Sequence, residues 1–481
     1  MPRQHALDLA STYFDDGHFF SDLQRRVALR TESNTGTVTP ALKAYLRDAL
    51  VPPLESLGFD CRVLPNPVPQ GGPFLIARRV EHPDLPTVLG YGHGDVVSGQ
   101  DAAWREGLGP WALTAEGDRL YGRGTADNKG QHTVNLGALQ ATLQSRQGRL
   151  GYNLTWLFEM GEEAGSPGLH AFCEQQRQAL RADVFLASDG PRVSTARPTL
   201  FLGSRGAVNF TLRLKERARA FHSGNWGGVL ANPATVLCNA VASMVDTRGR
   251  ITIAGLRPPP ISPAVRESLA PIAIGGGADD PALSEGWGEP GLSPAERLMG
   301  WNTLEVLAMG AGNPQRPINA IPGEAVVHCQ LRFVVGTAWE RLAETVQDHL
   351  AAQGFEGIDV AITLSGAATR LEPDHAWAQW AQHSIERSAG QRPDVLPNLA
   401  GSLPNDAFAH VLGLPTLWVP HSYPACAQHA PNEHLLAPVV REGLRVMAGL
   451  YWDLGEPASH GGAPWPARPA ASGASAASPA A

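Results

Sequence analysis

Five short segments carry residues able to hold metal ions or to move protons: GHGDVV (92–97), GRGTADNKG (122–130), EMGEEAGS (159–166), SDG (188–190) and QHAPNEH (428–434). Together they offer imidazoles and carboxylates without a thiolate, a donor set that suits zinc, manganese or cobalt in an open catalytic site. Taken singly, each has an ordinary explanation. A His or Asp in a loop is usually solvated or caps a helix, Glu162 and Glu163 would serve as a solvated turn, and Asp189 before Gly190 as a turn residue. The case for a metal site rests on five such clusters in the same kind of position.

That position is set by the elements between them. PTVLGYG (86–92), YNLTWLF (152–158), ADVFLAS (182–188) and PTLWVP (415–420) read as short buried strands, with helical stretches near 130–147 and 168–180. Apolar strands alternating with helices point to an α/β sheet, largely parallel in its centre. The clusters lie just past these strands or on adjoining loops, the end of such a sheet where ligands gather. Upstream, ALKAYLRDALVPPLESLGF (41–59) has helical periodicity, interrupted by Pro52 and Pro53 and stopped near Gly58.

Past Gly203 the texture changes. GAVNFTLRLK (206–215), AVVHCQLRFVV (325–335) and IDVAITLSG (358–366) read as strands, NPATVLCNAVASMV (232–245) and TAWERLAETVQDHLAAQGF (337–355) as helices. This predicts a small α+β domain over 204–366 inserted between two parts of the first, 1–203 and 367–460. Residues 255–295, rich in Pro and Gly, read as a long irregular loop, and 461–481 as an Ala/Ser/Pro/Gly-rich disordered tail.

Other chemistries find little support. Gly90/Gly92 and Gly122/Gly124 resemble the start of a dinucleotide fingerprint, but Asp95 and Asp127 stand where the third glycine belongs and would repel a pyrophosphate. The chain has no GxxxxGK[ST] loop, GxSxG elbow or HExxH helix. A net charge of −8 gives no reason to expect nucleic acid or an anionic membrane as partner. No run of about 18 apolar residues suggests a membrane span, and the N-terminus lacks a signal-like apolar stretch. Five scattered cysteines without a CxxC pair suggest neither a disulfide framework nor a zinc knuckle, so the cytoplasm is the expected compartment. At 481 residues, 43% apolar and 17% charged, the chain is long enough for two globular cores.

The five clusters, in order, resemble those of the M20 metallopeptidase family, which includes dipeptidases such as carnosinase, aminoacylases, carboxypeptidase G and the ArgE/DapE deacylases. The resemblance spans roughly residues 10 to 455. It implies a di-metal α/β catalytic domain with an inserted lid, or dimerisation, domain. It also implies two divalent ions per subunit, zinc first, with manganese or cobalt as alternatives. By position, Asp127 would bridge both ions, His93 and Asp189 would complete one site, and Glu163 and His429 the other. Glu162 would be the general base and Asp95 the carboxylate that orients His93. His222, in FHSGNWGG, resembles the lid histidine that stabilises the oxyanion, in many family dimers from the neighbouring subunit. Asn319, Arg332, Gly401 and Ser402 resemble substrate-holding groups, Arg332 through its fork to a substrate carboxylate, with Asn225 a weaker candidate.

Two further readings come with the resemblance. His421, His434 and Cys426 are extra candidate ligands, but the register before APNE favours His429 and makes the others structural. Asn128, where many members carry a second Asp, leans towards the dipeptidase branch, as do GSPG and DNKG. The expectation is a homodimeric hydrolase of dipeptides or short peptides; the alternative is a deacylase of N-acyl amino acids on the same core.

Overall fold

The computed structural model describes residues 2–33, 37–275 and 281–465. An eight-stranded mixed sheet runs in the order Asp60–Leu64, Phe74–Arg79, Asn153–Glu159, Thr87–His93, Val184–Ala187, Thr416–Trp418, Thr199–Phe201, Asp394–Leu396. The four central strands are mutually parallel, and antiparallel pairs lie towards both edges. Their apolar runs are continuous because both faces are covered. Along Val184–Ala187, Val184 and Leu186 enter one core, Phe185 and Ala187 the other. The first core is closed by the helices Arg3–Asp15, Lys129–Ser145, Ala376–Ala389 and Ala437–Leu454. Gly90 owes its place to packing: a Cβ there would lie 2.8 Å from the Trp156 indole. That accounts for one glycine of the pattern that mimics a nucleotide fingerprint.

A second, four-stranded antiparallel sheet has the order Thr303–Ala311, Glu324–Phe333, Gly206–Lys215, Ile358–Gly366. Leu237, Ala240 and Met244 of the helix Pro233–Met244, and Leu342, Val346 and Leu350 of Leu342–Ala352, bury one of its faces at helical spacing. Its edge strand Thr303–Ala311 has no counterpart in the sequence reading.

Three other expectations change. Residues 255–295 are not one long irregular loop. They include the helix Pro263–Leu269, and Pro294–Met299 begins within them, each with a serine side chain as N-cap and proline in the first turn. The chain stays packed past Gly461: Ala463 is buried, and Trp465 meets Trp377 with ring centroids 5.0 Å apart. The remainder of the expected tail, 466–481, lies outside the described residues. Upstream, the helical run over 40–56 is broken by a π-helical segment, Tyr45–Leu50, just ahead of the prolines.

Candidate metal centre and active site

His93 is the last residue of the strand Thr87–His93, and Asp189 follows the parallel neighbour Val184–Ala187 by two residues. Glu162 and Glu163 form a 3-10 turn after Asn153–Glu159, and Asp127 lies two residues before the helix Lys129–Ser145. Side chains more than 300 residues apart in sequence meet at this end of the sheet. His93 Nε2 lies 2.9 Å from Asp127 Oδ1 and 3.6 Å from Asp189 Oδ2. His429 Nε2 lies 3.0 Å from both Asp127 Oδ2 and Glu163 Oε2. The result is two three-residue groups, His93/Asp127/Asp189 and Asp127/Glu163/His429, each with its ligand atoms within 4.8 Å of one another and sharing Asp127. Glu162 belongs to neither, with Oε2 3.9 Å from His93 Nε2. The Asp127–Asn128 peptide bond is cis.

Asp95 does more than flank an imidazole. The His93 Nδ1 position is closer to the Asp95 main-chain carbonyl (3.1 Å) than to its carboxylate (3.5 Å). The carboxylate accepts the backbone N–H groups of Glu162 (3.2 Å) and Glu163 (3.1 Å) and the Ser33 hydroxyl (2.6 Å). It therefore sets where the two glutamates stand relative to His93.

Sequence reasoning passed over a second organiser, Glu433. Its Oε1 accepts from the backbone N–H of Ala126 (2.8 Å) and Asp127 (3.1 Å), its Oε2 from Arg123 Nη1 (2.6 Å) and the N–H of Gly124 (3.1 Å). This buried carboxylate ties the loop of His429 to that of Asp127. The only hint in the sequence was its place inside QHAPNEH. His421 and His434 point elsewhere, to Ser188 Oγ (3.1 Å) and to the Tyr423 hydroxyl (2.5 Å), and Cys426 is buried. Asn128 reaches the Ser188 carbonyl (2.8 Å).

The electrostatics suit a cation site. Burial pushes the Glu162 carboxyl well above the usual carboxylate range; the His93 charge opposes this, and Asp189, Asp127 and Glu163 reinforce it. Burial, then Asp127, raise Glu163 to about 7. Hydrogen bonds to Asp127 and Glu163 raise His429 to about 10. Burial opposes protonation of His93, yet its bonds to Asp127, Asp189 and Asp95 lift it well above the usual imidazole value. Crowded carboxylates thus draw protons onto imidazoles in the metal-free chain. Glu163 Oε1 remains buried without a hydrogen-bond partner. An orphaned carboxylate oxygen among hard oxygen and imidazole donors is what divalent cations would satisfy.

The lid residues divide. Arg332 Nη1 donates to Ser402 Oγ at 3.0 Å, joining the lid to the loop that contains Gly401. His222 is exposed, paired in register with Ala320, and its ring accepts the Gly224 N–H at 3.1 Å. Asn319 lies beside it, its carbonyl accepting the Ser223 N–H at 2.8 Å, and Asn225 is exposed nearby. These three make no hydrogen bond to the five-residue cluster within the described residues.

Residues 89–453 match the family model described as peptidase family M20/M25/M40. The chain belongs to this family. As an M20 peptidase it is a hydrolase acting on peptide bonds. It is 26% identical over 428 residues to the Beta-Ala-His dipeptidase of Mus musculus, covering 83% of this chain and 84% of that one. It is 27% identical over 365 residues to the cysteinylglycine-S-conjugate dipeptidase of Corynebacterium striatum, covering 73% and 76%. The fold is shared with an M20 family metallo-carboxypeptidase from Sulfolobus solfataricus: TM-score 0.76, 23% identity, 90% of this chain and 98% of that one.

Proposed function

We propose that this M20 peptidase is a dipeptidase or short-peptide hydrolase working through two divalent ions, with zinc the preferred pair. The observation that carries the reading is the sharing of Asp127 between two ligand groups, with Glu162 beside them and outside both. His93, Asp127 and Asp189 would hold one ion, and Asp127, Glu163 and His429 the other. When bound, the ions supply Lewis acidity that polarises the substrate carbonyl and lowers the pKa of water at the site to near neutral.

The chain's own residues do the rest. Glu162 accepts the proton of the attacking water as the new C–O bond forms. It returns that proton to the amine nitrogen as the C–N bond breaks, leaving a carboxylic acid and an amine. Asp95 holds the Glu162–Glu163 turn so that neighbouring carboxylates serve different ends. Arg332, Ser402 and Gly401 would seat a free substrate carboxylate, and His222, with Asn319, would donate to the oxyanion.

His222 stands in solvent on the lid, which supports a second copy of the chain as the place where it acts. Trp226, Val229 and Ile318 around it are 43%, 75% and 74% exposed, apolar surface that a homodimer would cover. No helix of the described residues is long and apolar enough to cross a membrane. All five cysteines are free, which supports a reducing, cytoplasmic setting. The similarity to a Beta-Ala-His dipeptidase and to a cysteinylglycine-S-conjugate dipeptidase supports dipeptides rather than N-acyl amino acids as substrates of this chain. A panel of both, assayed on protein loaded with zinc, manganese or cobalt, tests this. Hydrolysis of dipeptides is expected; turnover of acyl amino acids alone would replace the peptidase reading with the deacylase, and no turnover of either would refute both.

A further inference from the structure

The helix Lys129–Ser145 begins two residues after Asp127, and its third residue is Gln131. Gln131 is fully buried and belongs to neither ligand group. The hydrogen bonds of its side chain all go to main chain. Nε2 donates to the carbonyls of Ala126 (2.9 Å) and Gly190 (3.2 Å), and Oε1 accepts the His421 N–H (2.8 Å). Two carbonyls and one N–H settle which way the amide faces. Turned over, it would set its oxygen against both carbonyls and its NH2 against the N–H.

The three anchor points belong to three ligand loops. Ala126 precedes Asp127, Gly190 follows Asp189, and His421 opens the segment that runs to His429. Asp189 is held on both sides from the start of one helix, because Asn128 Nδ2 takes the Ser188 carbonyl (2.8 Å) as Gln131 takes that of Gly190. The Gly190 N–H in turn donates to Asp189 Oδ1 (2.7 Å), so a fixed Gly190 also orients the carboxylate. Ligands from separate loops hold a cation tightly only when groups behind them set their spacing. Few side chains could do this here: Asn is one methylene shorter, an ionised Glu has no proton for the two carbonyls, and Met has no donor.

We propose that Gln131 is a positioning residue for both ions. Its amide sets the spacing of the Asp127, Asp189 and His429 loops, so one side chain that ligates nothing governs the affinity of the two sites together. This rests on the two-ion reading above and adds to it a determinant of metal retention.

The test uses Gln131→Met, which keeps the size and removes all three bonds, and Gln131→Glu, which keeps an acceptor for His421. Ser422→Ala is the control, since Ser422 Oγ donates to the same Gly190 carbonyl (3.0 Å) without reaching the Asp127 loop. Zinc affinity is read by competition with a chromophoric chelator, on protein shown to be folded by near-ultraviolet circular dichroism. It should fall about 10–100-fold at both sites in the two Gln131 variants and stay near wild type in the control. The visible absorption of cobalt-loaded protein, which reports ligand geometry, should shift in the same two variants. On the best dipeptide of the panel kcat should fall and KM hold, since Gln131 lies buried behind the ligands. Unchanged affinity, a loss at one site alone, or an equal loss in Ser422→Ala would overturn the proposal and leave Gln131 as a packing residue. Should neither Gln131 variant fold, a crystal structure of the zinc-loaded wild type decides. All three bonds kept beside two ions support the proposal; release from any of the three loops overturns it. A wild type that holds fewer than two zinc ions refutes the two-ion reading and this proposal with it. Two bound ions without dipeptide turnover refute only the substrate reading, and affinity and cobalt spectra still decide the role of Gln131.

Discussion

Replacing Glu433 by Gln looks conservative and should not be. Each carboxylate oxygen of Glu433 accepts two donors, Arg123 and Gly124 N–H on one, Ala126 and Asp127 N–H on the other. An amide has one oxygen and one NH2, so whichever way it turns, two buried donors meet another donor. Leaving a buried donor unsatisfied costs about 1–3 kcal/mol, hence about 2–6 kcal/mol for two. Breaking the fully buried Arg123–Glu433 pair falls inside that range, at about 3–5 kcal/mol. Denaturant unfolding of the metal-free protein, followed by tryptophan fluorescence, should therefore show about 3–5 kcal/mol lost in the variant. Because Glu433 also holds the backbone of Asp127, zinc uptake should weaken in parallel. A loss below about 1 kcal/mol with unchanged zinc binding would refute the idea that this carboxylate organises the site.

Glu162→Gln should lower kcat by about 10²–10⁴-fold while zinc content, measured by mass spectrometry, stays at the wild-type level; retained activity would remove Glu162 as the base. Asp95→Asn weakens the hold on the Glu162 and Glu163 N–H groups and should cost about 10–100-fold in zinc affinity, read by competition with a chromophoric chelator; wild-type affinity would contradict that role. Glu159 is buried, accepts the Tyr91 and Ser166 hydroxyls, and burial raises its carboxyl from 4.5 to about 7. The native chain then binds more protons than the unfolded one between pH 4.5 and about 7, so this group makes stability fall as pH rises through that window. Glu159→Gln removes the dependence and, above pH 7, should gain up to about 3 kcal/mol on wild type in metal-free unfolding; parallel stability curves would contradict it.

The sequence displayed the ligand candidates because chemistry and position are both local there. Each cluster follows a short apolar strand or opens a helix, and strand ends of a parallel sheet converge. It hid most of what holds the ligands in place: Glu433 altogether, and for Asp95, legible as the partner of His93, the grip on Glu162 and Glu163. Glu433 and Asp95 act on backbone N–H groups, which leave no mark in a residue string, and the Glu433 acceptors serve donors more than 300 residues away. The edge strand Thr303–Ala311 was missed although TLEVLAMGA is apolar, because the Pro- and Gly-rich stretch before it suggested continuing loop. The short helices there were announced by Ser262-Pro263 and Ser293-Pro294, the second with Glu296 completing a capping box. Those signals were outweighed by overall composition. The lid histidine could be found from its motif, but its exposure on the lid is visible only in the fold.

The central claim is that one carboxylate serves two ions. Zinc bound per chain, counted by inductively coupled plasma mass spectrometry on zinc-loaded protein, tests it most directly in wild type, Asp189→Asn and His429→Ala. The account predicts two tightly held ions in the wild type and one in each variant, since each removes a ligand from only one of the two groups around Asp127. A single ion in the wild type, or two retained in both variants, would contradict it.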